Sequence, residues 1–159
     1  MPSNPTKFPI CLGADHAGFA LKEAIKAYLV RLGYDIIDFG TSDDTACDYP
    51  DFVIPAARAA VQLKGRAIVF GGSGTGECIA ANKVRGIRCA LPYDDYTARL
   101  CREHNDANAI ALGSRTVTGK LALAKRLVKI WLETPYLGEV RLVRRIKKVA
   151  AFEKKSSSL

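Results

Sequence analysis

Glu77 follows directly on a glycine-rich run, Gly71-Gly-Ser-Gly-Thr-Gly76. A carboxylate there stands beside a ring of backbone N–H donors, the pairing that proton abstraction alpha to a carbonyl requires. An acid in the first turn of a helix also complements the helix dipole, and spacing alone leaves both roles open. His16 and His104 are the only two histidines, and each has acid or amide neighbours, as Asp15-His16 and His104-Asn105-Asp106. A lone histidine is commonly structural, but these neighbours and the place of His16 at a strand end favour chemistry. No group of His, Cys and carboxylates has metal-ligand spacing.

Two phosphate-binding motifs are excluded around the glycines. A Walker A loop would need Gly-Lys-Ser/Thr, which does not follow. The dinucleotide fingerprint fails more narrowly: Gly72, Gly74 and Gly76 are spaced GxGxG without the GxxG half. Asp94 and Asp95 stand about where a ribose-binding acid is expected, roughly 20 residues on. However, the helix after the loop reaches Gly86 too soon for a cofactor-binding crossover. Amides facing an anion at a helix N-terminus remain the reading of this loop.

The positive charge is confined to one end. Residues 1–118 hold 13 Lys and Arg against 13 Asp and Glu, so the net +8 falls wholly within residues 119–159. It is densest in Arg141-Leu-Val-Arg-Arg-Ile-Lys-Lys148. On a helix Arg141 and Arg145 share a face, and paired guanidinium forks suit a compact dianion. A solvated face is the plain alternative. Nucleic-acid binding is disfavoured because no aromatic residues are interleaved with these charges. Val143, Ile146 and Val149/Ala150 form a separate apolar stripe expected to dock on the domain.

The elements that must position these groups alternate. Ile10–Leu12, Tyr34–Phe39, Ala67–Phe70, Ile87–Leu91 and Ala109–Leu112 read as strands. Between them, Leu21 to Leu32 (closed by Gly33), Phe52–Leu63, Glu77–Lys83 and Asp94–Glu103 read as helices, with an acidic loop from Ser42 to Asp51. Val117, Leu121, Ala124, Leu127 or Val128, and Trp131 form a further helical face, and the basic helix follows Thr134-Pro135. This pattern predicts an α/β fold: one Rossmann-like, three-layer domain over residues 1–159, with a five-stranded parallel sheet and a C-terminal basic helix. Residues 1–7 and 155–159 are expected to be disordered tails. Ligands of such sheets bind beyond the carboxyl ends of the strands. That rule gathers Asp15, His16, the loop 71–76 and Gly113-Ser-Arg115 at one rim.

Composition sets the frame. At 159 residues, 48% hydrophobic and 25% charged, the chain is one globular domain by length and balance. No apolar run is long enough to span a bilayer, so no membrane partner is expected. The first ten residues lack a hydrophobic signal core and a cleavage site, which argues against secretion. Five cysteines, none in a CxxC pair, point to reduced thiols in the cytoplasm.

Several segments together resemble one family. Gly13-Ala-Asp-His-Ala-Gly-Phe19, Asp48-Tyr-Pro50, Gly72-Ser-Gly-Thr-Gly-Glu-Cys-Ile-Ala-Ala-Asn-Lys83, Arg102-Glu-His-Asn-Asp106 and Gly113-Ser-Arg115 resemble type B ribose-5-phosphate isomerases, a group that also includes galactose-6-phosphate isomerase subunits. The resemblance spans about residues 8–150. It implies a cofactor-free, metal-free aldose–ketose isomerase of the pentose phosphate pathway, converting D-ribose 5-phosphate and D-ribulose 5-phosphate. It also implies a homodimer, or a dimer of dimers, with active sites between protomers. By position, Glu77 matches the general base that moves a proton between C1 and C2 through a cis-enediolate. Ser73 and the amides of Gly72, Gly74, Thr75 and Gly76 match the oxyanion cradle. His104 matches the ring-opening acid, with Asp15 assisting and binding substrate, and Asn105 binding substrate. His16, Arg115, Arg141 and Arg145 match the phosphate ligands.

Two departures stand out. Some relatives place a cysteine base where this chain has Gly71, which implies the Glu-dependent branch. Many have a histidine where this chain has Leu142. Cys78 is next to Glu77 but projects about 100° away on a helix, and is expected to serve packing. The competing readings are an isomerase of another sugar phosphate (allose 6-phosphate, galactose 6-phosphate or a tetrose phosphate) and a non-enzymatic nucleic-acid binder acting through the basic C-terminus.

Overall fold

The computed structural model describes residues 8–156, with the backbone alone for Ser156. Five strands, β1 (Ile10–Ala14), β2 (Ile36–Asp38), β3 (Arg66–Gly71), β4 (Cys89–Ala90) and β5 (Ala109–Gly113), form one parallel sheet in the order β2-β1-β3-β5-β4. Helices α1 (Phe19–Arg31), α2 (Pro50–Gln62), α3 (Thr75–Asn82), α4 (Asp95–Glu103) and α5 (Leu121–Glu133) make the outer layers. Helix α6 (Val140–Ser156) follows them. The expected α/β class is present, and among the described residues no helix is long and apolar enough to cross a membrane.

The period-2 alternation of strand side chains divides the core into two unlike halves. Ile10, Leu12, Ile68, Phe70, Ile110 and Leu112 point to one face and meet α1, α4 and α5, with Trp131 fully buried among them. Cys11, Ala67, Val69, Ala109 and Ala111 point to the other, where α2 and α3 present Ala56, Ala57, Ala60, Ala80 and Ala81. Small residues on both sides let α2 and α3 lie close to the sheet. Alternate strand positions are thus assigned by volume as well as by polarity.

Several boundaries differ from expectation. Helix α2 begins at Pro50, inside the expected acidic loop, because proline suits the first helical turn. Val117 belongs to a separate 3-10 turn (Val117–Gly119) and is half exposed, so α5 starts only at Leu121. Strand β4 keeps two of its five expected residues. Just before it, the Asn108 side chain accepts from Arg88 N (2.8 Å) and donates to Gly86 O (2.8 Å), replacing ladder bonds with side-chain ones. Helix α6 continues through Lys155 and Ser156, two residues into the expected tail; residues 1–7 and 157–159 lie outside the described ones.

The apolar stripe of α6 does not dock as expected. Val149, Ala150 and Phe152 are exposed, and Val143 and Ile146 are only half-buried. The anchor is Leu142, 1% exposed. Further along, Glu153 accepts from the Gly86 amide (3.1 Å).

Candidate active site

Three segments from the carboxyl ends of β1, β3 and β5 converge, as the rim argument required. The amides of Ser114 and Arg115 donate to the carbonyls of Gly71 (2.8 Å) and Gly72 (2.9 Å). The Ser114 hydroxyl donates to Ala17 O (2.7 Å), tying in the loop after β1. Gly113 lies so close to Ser73 that a Cβ there would collide with the Ser73 backbone. Asp15, His16, residues 72–76, Glu77 and Arg115 therefore share one rim.

Glu77 is only 4% exposed although it is ionisable and in the first turn of α3. Its carboxyl lies directly over Gly71, in the space a side chain at 71 would fill. That observation gives the first glycine of the run its physical reason: any Cβ there would strike the carboxyl. Burial pushes the Glu77 carboxyl above the usual glutamate value; backbone amides at Glu77 and Gly74 oppose this, and the nearby Asp15 charge adds to it. A carboxylate kept closer to neutral pH is a better proton acceptor for a weak carbon acid.

The loop itself is shaped for close approach. Gly74 takes a left-handed conformation (φ 79°), which favours glycine, and Leu91 and Gly113 leave no room for a side chain there. Ser73 is exposed, its hydroxyl accepting from the Thr75 amide (3.2 Å). Thr75 is exposed at the start of α3, and Gly76 is covered by the Tyr49 ring. Asp15 is buried and accepts from the Gly18 amide (2.9 Å). His16 Nδ1 is held 3.2 Å from both the amide N and the carbonyl O of Cys47, which leaves Nε2 to reach a ligand. Arg115 is exposed, its Nη1 near Gly72.

The remaining expected residues lie elsewhere. His104 ends α4, the helix that returns from the carboxyl edge of the sheet to the start of β5. Asn105 O accepts from Arg88 Nε (2.9 Å), just before β4. Asn105 and Arg145 line one groove of about 700 Å³ between α6 and the amino ends of β4 and β5, together with Arg85, Arg88 and Ile146. Arg141 is exposed at the start of α6 and paired with Glu139 (2.8 Å). At about 3.3 Å per residue, the length of β5 alone separates His104 from Glu77 by over 10 Å. One chain therefore holds the expected residues in two groups, toward opposite ends of the sheet.

Sequence reasoning missed Tyr49 and Leu91, which cover Gly76 and Gly74. Tyr49 stood in the quoted Asp48-Tyr-Pro50 segment, a signal of position but not of role; Leu91 carried none. Among the described residues, no three His, Cys, Asp or Glu side chains gather as metal ligands.

A parallel sheet with a glycine loop and a buried acid at its rim is an α/β frame that can hold an anion beside a proton acceptor. The family model described as Ribose/Galactose Isomerase matches residues 10–149, and the chain belongs to that family. It is similar to ribose-5-phosphate isomerase B of Mycolicibacterium paratuberculosis, 47% identical over 147 residues that cover 91% of each chain. Among solved structures it resembles ribose-5-phosphate isomerase B of Clostridium thermocellum (TM-score 0.89, 45% identity, 93% of this chain and 99% of that one). It also resembles the Mycoplasma genitalium ribose-5-phosphate isomerase B with bound ribulose-5-phosphate (TM-score 0.87, 35% identity, 92% and 97% covered).

Proposed function

We propose that this chain interconverts D-ribose 5-phosphate and D-ribulose 5-phosphate, with Glu77 as the base. The observation that carries this reading is the buried Glu77 carboxyl seated on Gly71 beside the amides of 72–76. After ring opening, Glu77 takes the proton from C2 of the open-chain aldose. Negative charge then develops on O1, where Ser73 and the loop amides stabilise it. A proton passes from O2 to O1, and returning the abstracted proton to C1 of the cis-enediolate, as the C2=O2 double bond forms, yields the ketose and regenerates the base. Asp15, facing the same space, orients substrate hydroxyls. His16 and Arg115 hold the phosphate.

The separation of the two groups supports a homodimer in which each rim is completed by a second copy. His104 of the partner subunit would open the furanose ring, and Asn105 of the partner subunit would bind substrate. Arg141 and Arg145 of the partner subunit would complete the phosphate clamp. The exposed apolar side of α6 supports the same pairing, because a second copy would cover Val149, which is 64% exposed. All five cysteines are free thiols, which supports action in the reducing cytoplasm.

A turnover assay over a panel of sugar phosphates tests the proposal. The highest kcat/KM is expected for ribose 5-phosphate and ribulose 5-phosphate. Preference for a tetrose or hexose phosphate would overturn the substrate assignment, and absence of turnover on all of them would overturn the activity.

A further inference from the structure

Helix α4 ends at Glu103, and His104, Asn105 and Asp106 turn the chain toward β5. Asp106 makes this turn in a left-handed conformation (φ 47°), which residues with side chains rarely adopt and which Asp tolerates better than most. The amides of Asp106 and Ala107 reach back to the carbonyls of Arg102 (3.1 Å) and Cys101 (2.9 Å). Two guanidinium groups grip the Asp106 carboxylate, one oxygen each. Arg88 Nη2 donates to Oδ2 (2.9 Å) and Arg102 Nη1 to Oδ1 (2.8 Å). Both arginines also donate to the backbone of the turn. Arg88 Nε reaches Asn105 O (2.9 Å), Arg88 Nη2 reaches Asp106 O (2.8 Å), and Arg102 Nη1 reaches Ala107 O (2.8 Å).

Both arginines stand on fixed ground. Arg102 is buried on the last turn of α4. Arg88 lies just before β4, its amide donating to the Asn108 side chain (2.8 Å). By contrast, neither the His104 ring nor the Asn105 side-chain amide has a hydrogen-bond partner among the described residues. The aim of these two side chains is set by the backbone that carries them.

We propose that Asp106 is a positioning residue for the isomerase: its carboxylate, held by Arg88 and Arg102, locks the left-handed turn that aims His104 and Asn105. The inference rests on the roles proposed above for those two residues. Charge-assisted bonds to both carboxylate oxygens are stronger than neutral ones, so they can hold a strained turn in one arrangement. Displacing a catalytic group by about 1 Å can cost roughly 10²-fold in rate. The loss should fall on one half of the reaction. Ribose 5-phosphate must open its furanose ring, where His104 acts. Ribulose 5-phosphate has its C5 oxygen esterified and closes no such ring. Exchange of its C1 hydrogen with solvent therefore needs Glu77 but no ring-opening acid.

The full chain carrying Asp106→Gly tests this, because glycine accepts the left-handed conformation without strain while removing the carboxylate. Conversion of ribose 5-phosphate, and exchange of the ribulose 5-phosphate C1 hydrogen in D2O, are both followed by proton NMR. Conversion should fall roughly 10²-fold, with exchange falling much less. Asp106→Asn keeps the left-handed tendency and an acceptor for one arginine, and should recover most of the conversion. Equal falls in conversion and exchange, which loss of folded protein alone would give, would overturn the positioning role. Wild-type conversion in Asp106→Gly would overturn it too. His104→Asn should show the same split between conversion and exchange. Full conversion by that variant would overturn the reading of His104 itself, whereas a split there with none in Asp106→Gly would overturn Asp106 alone.

Discussion

At Glu77, function and stability pull in opposite directions. The buried carboxyl has its proton affinity raised by burial and by Asp15, so between the ordinary glutamate value and the raised one the folded state holds a proton that the unfolded chain releases. Stability therefore falls as pH rises through that window, and the penalty persists above it. Glu77→Gln should lower kcat by roughly 10²–10⁴ while making the protein more stable to urea at neutral pH. Catalysis needs the ionised form, so the acid limb of kcat/KM should lie above the ordinary glutamate value, with activity falling as pH drops through it. A limb at the ordinary value would contradict the burial argument. Gly71→Ala tests the seat itself: the added methyl meets the Glu77 carboxyl, and kcat should fall by roughly 10²-fold with the fold retained by circular dichroism. The glycine loop and the acid after it could be read from residue types and spacing. The dependence of one on the other could not, because Gly71 looks like any other glycine until the carboxyl is seen lying over it.

Strand and helix existence followed from periodicity, since Ile10–Leu12, Ala67–Phe70 and Ala109–Leu112 are apolar runs bounded by turn residues. The failures came where a side chain replaced a backbone interaction or where an apolar face stayed exposed. Asn108 shortens β4 by taking over bonds to Arg88 and Gly86. Helix α6 misled in the other sense, because its regular apolar spacing announced a buried face within the chain. Instead Leu142 is its one fully buried apolar residue, helped by the Glu153 carboxylate on the Gly86 amide. Leu142→Ala should cost about 2–5 kcal/mol in urea unfolding, the usual loss for a fully buried leucine. A change well below that range would show that α6 is anchored elsewhere.

Across the whole molecule, the expected site residues lie toward two ends of the sheet, a separation that residue types and spacing did not announce, although the family resemblance implied sites between protomers. Asp15, Glu77 and Arg115 are brought together by strand ends in one layer. His104, Asn105 and Arg145 are carried to the far edge by the return of α4 and the run of α6. A parallel sheet puts successive loops at alternating ends, and the sequence does not show which end a helix terminus must serve in a second copy. Subunit mixing measures this most directly. Glu77→Gln and His104→Asn proteins, each nearly inactive alone, are unfolded together, refolded and assayed. With shared sites, about half of the re-paired dimers are mixed and each holds one intact site, so activity should recover to about a quarter of wild type. A mixture no more active than its two components would contradict a site built from Glu77 of one copy and His104 of another.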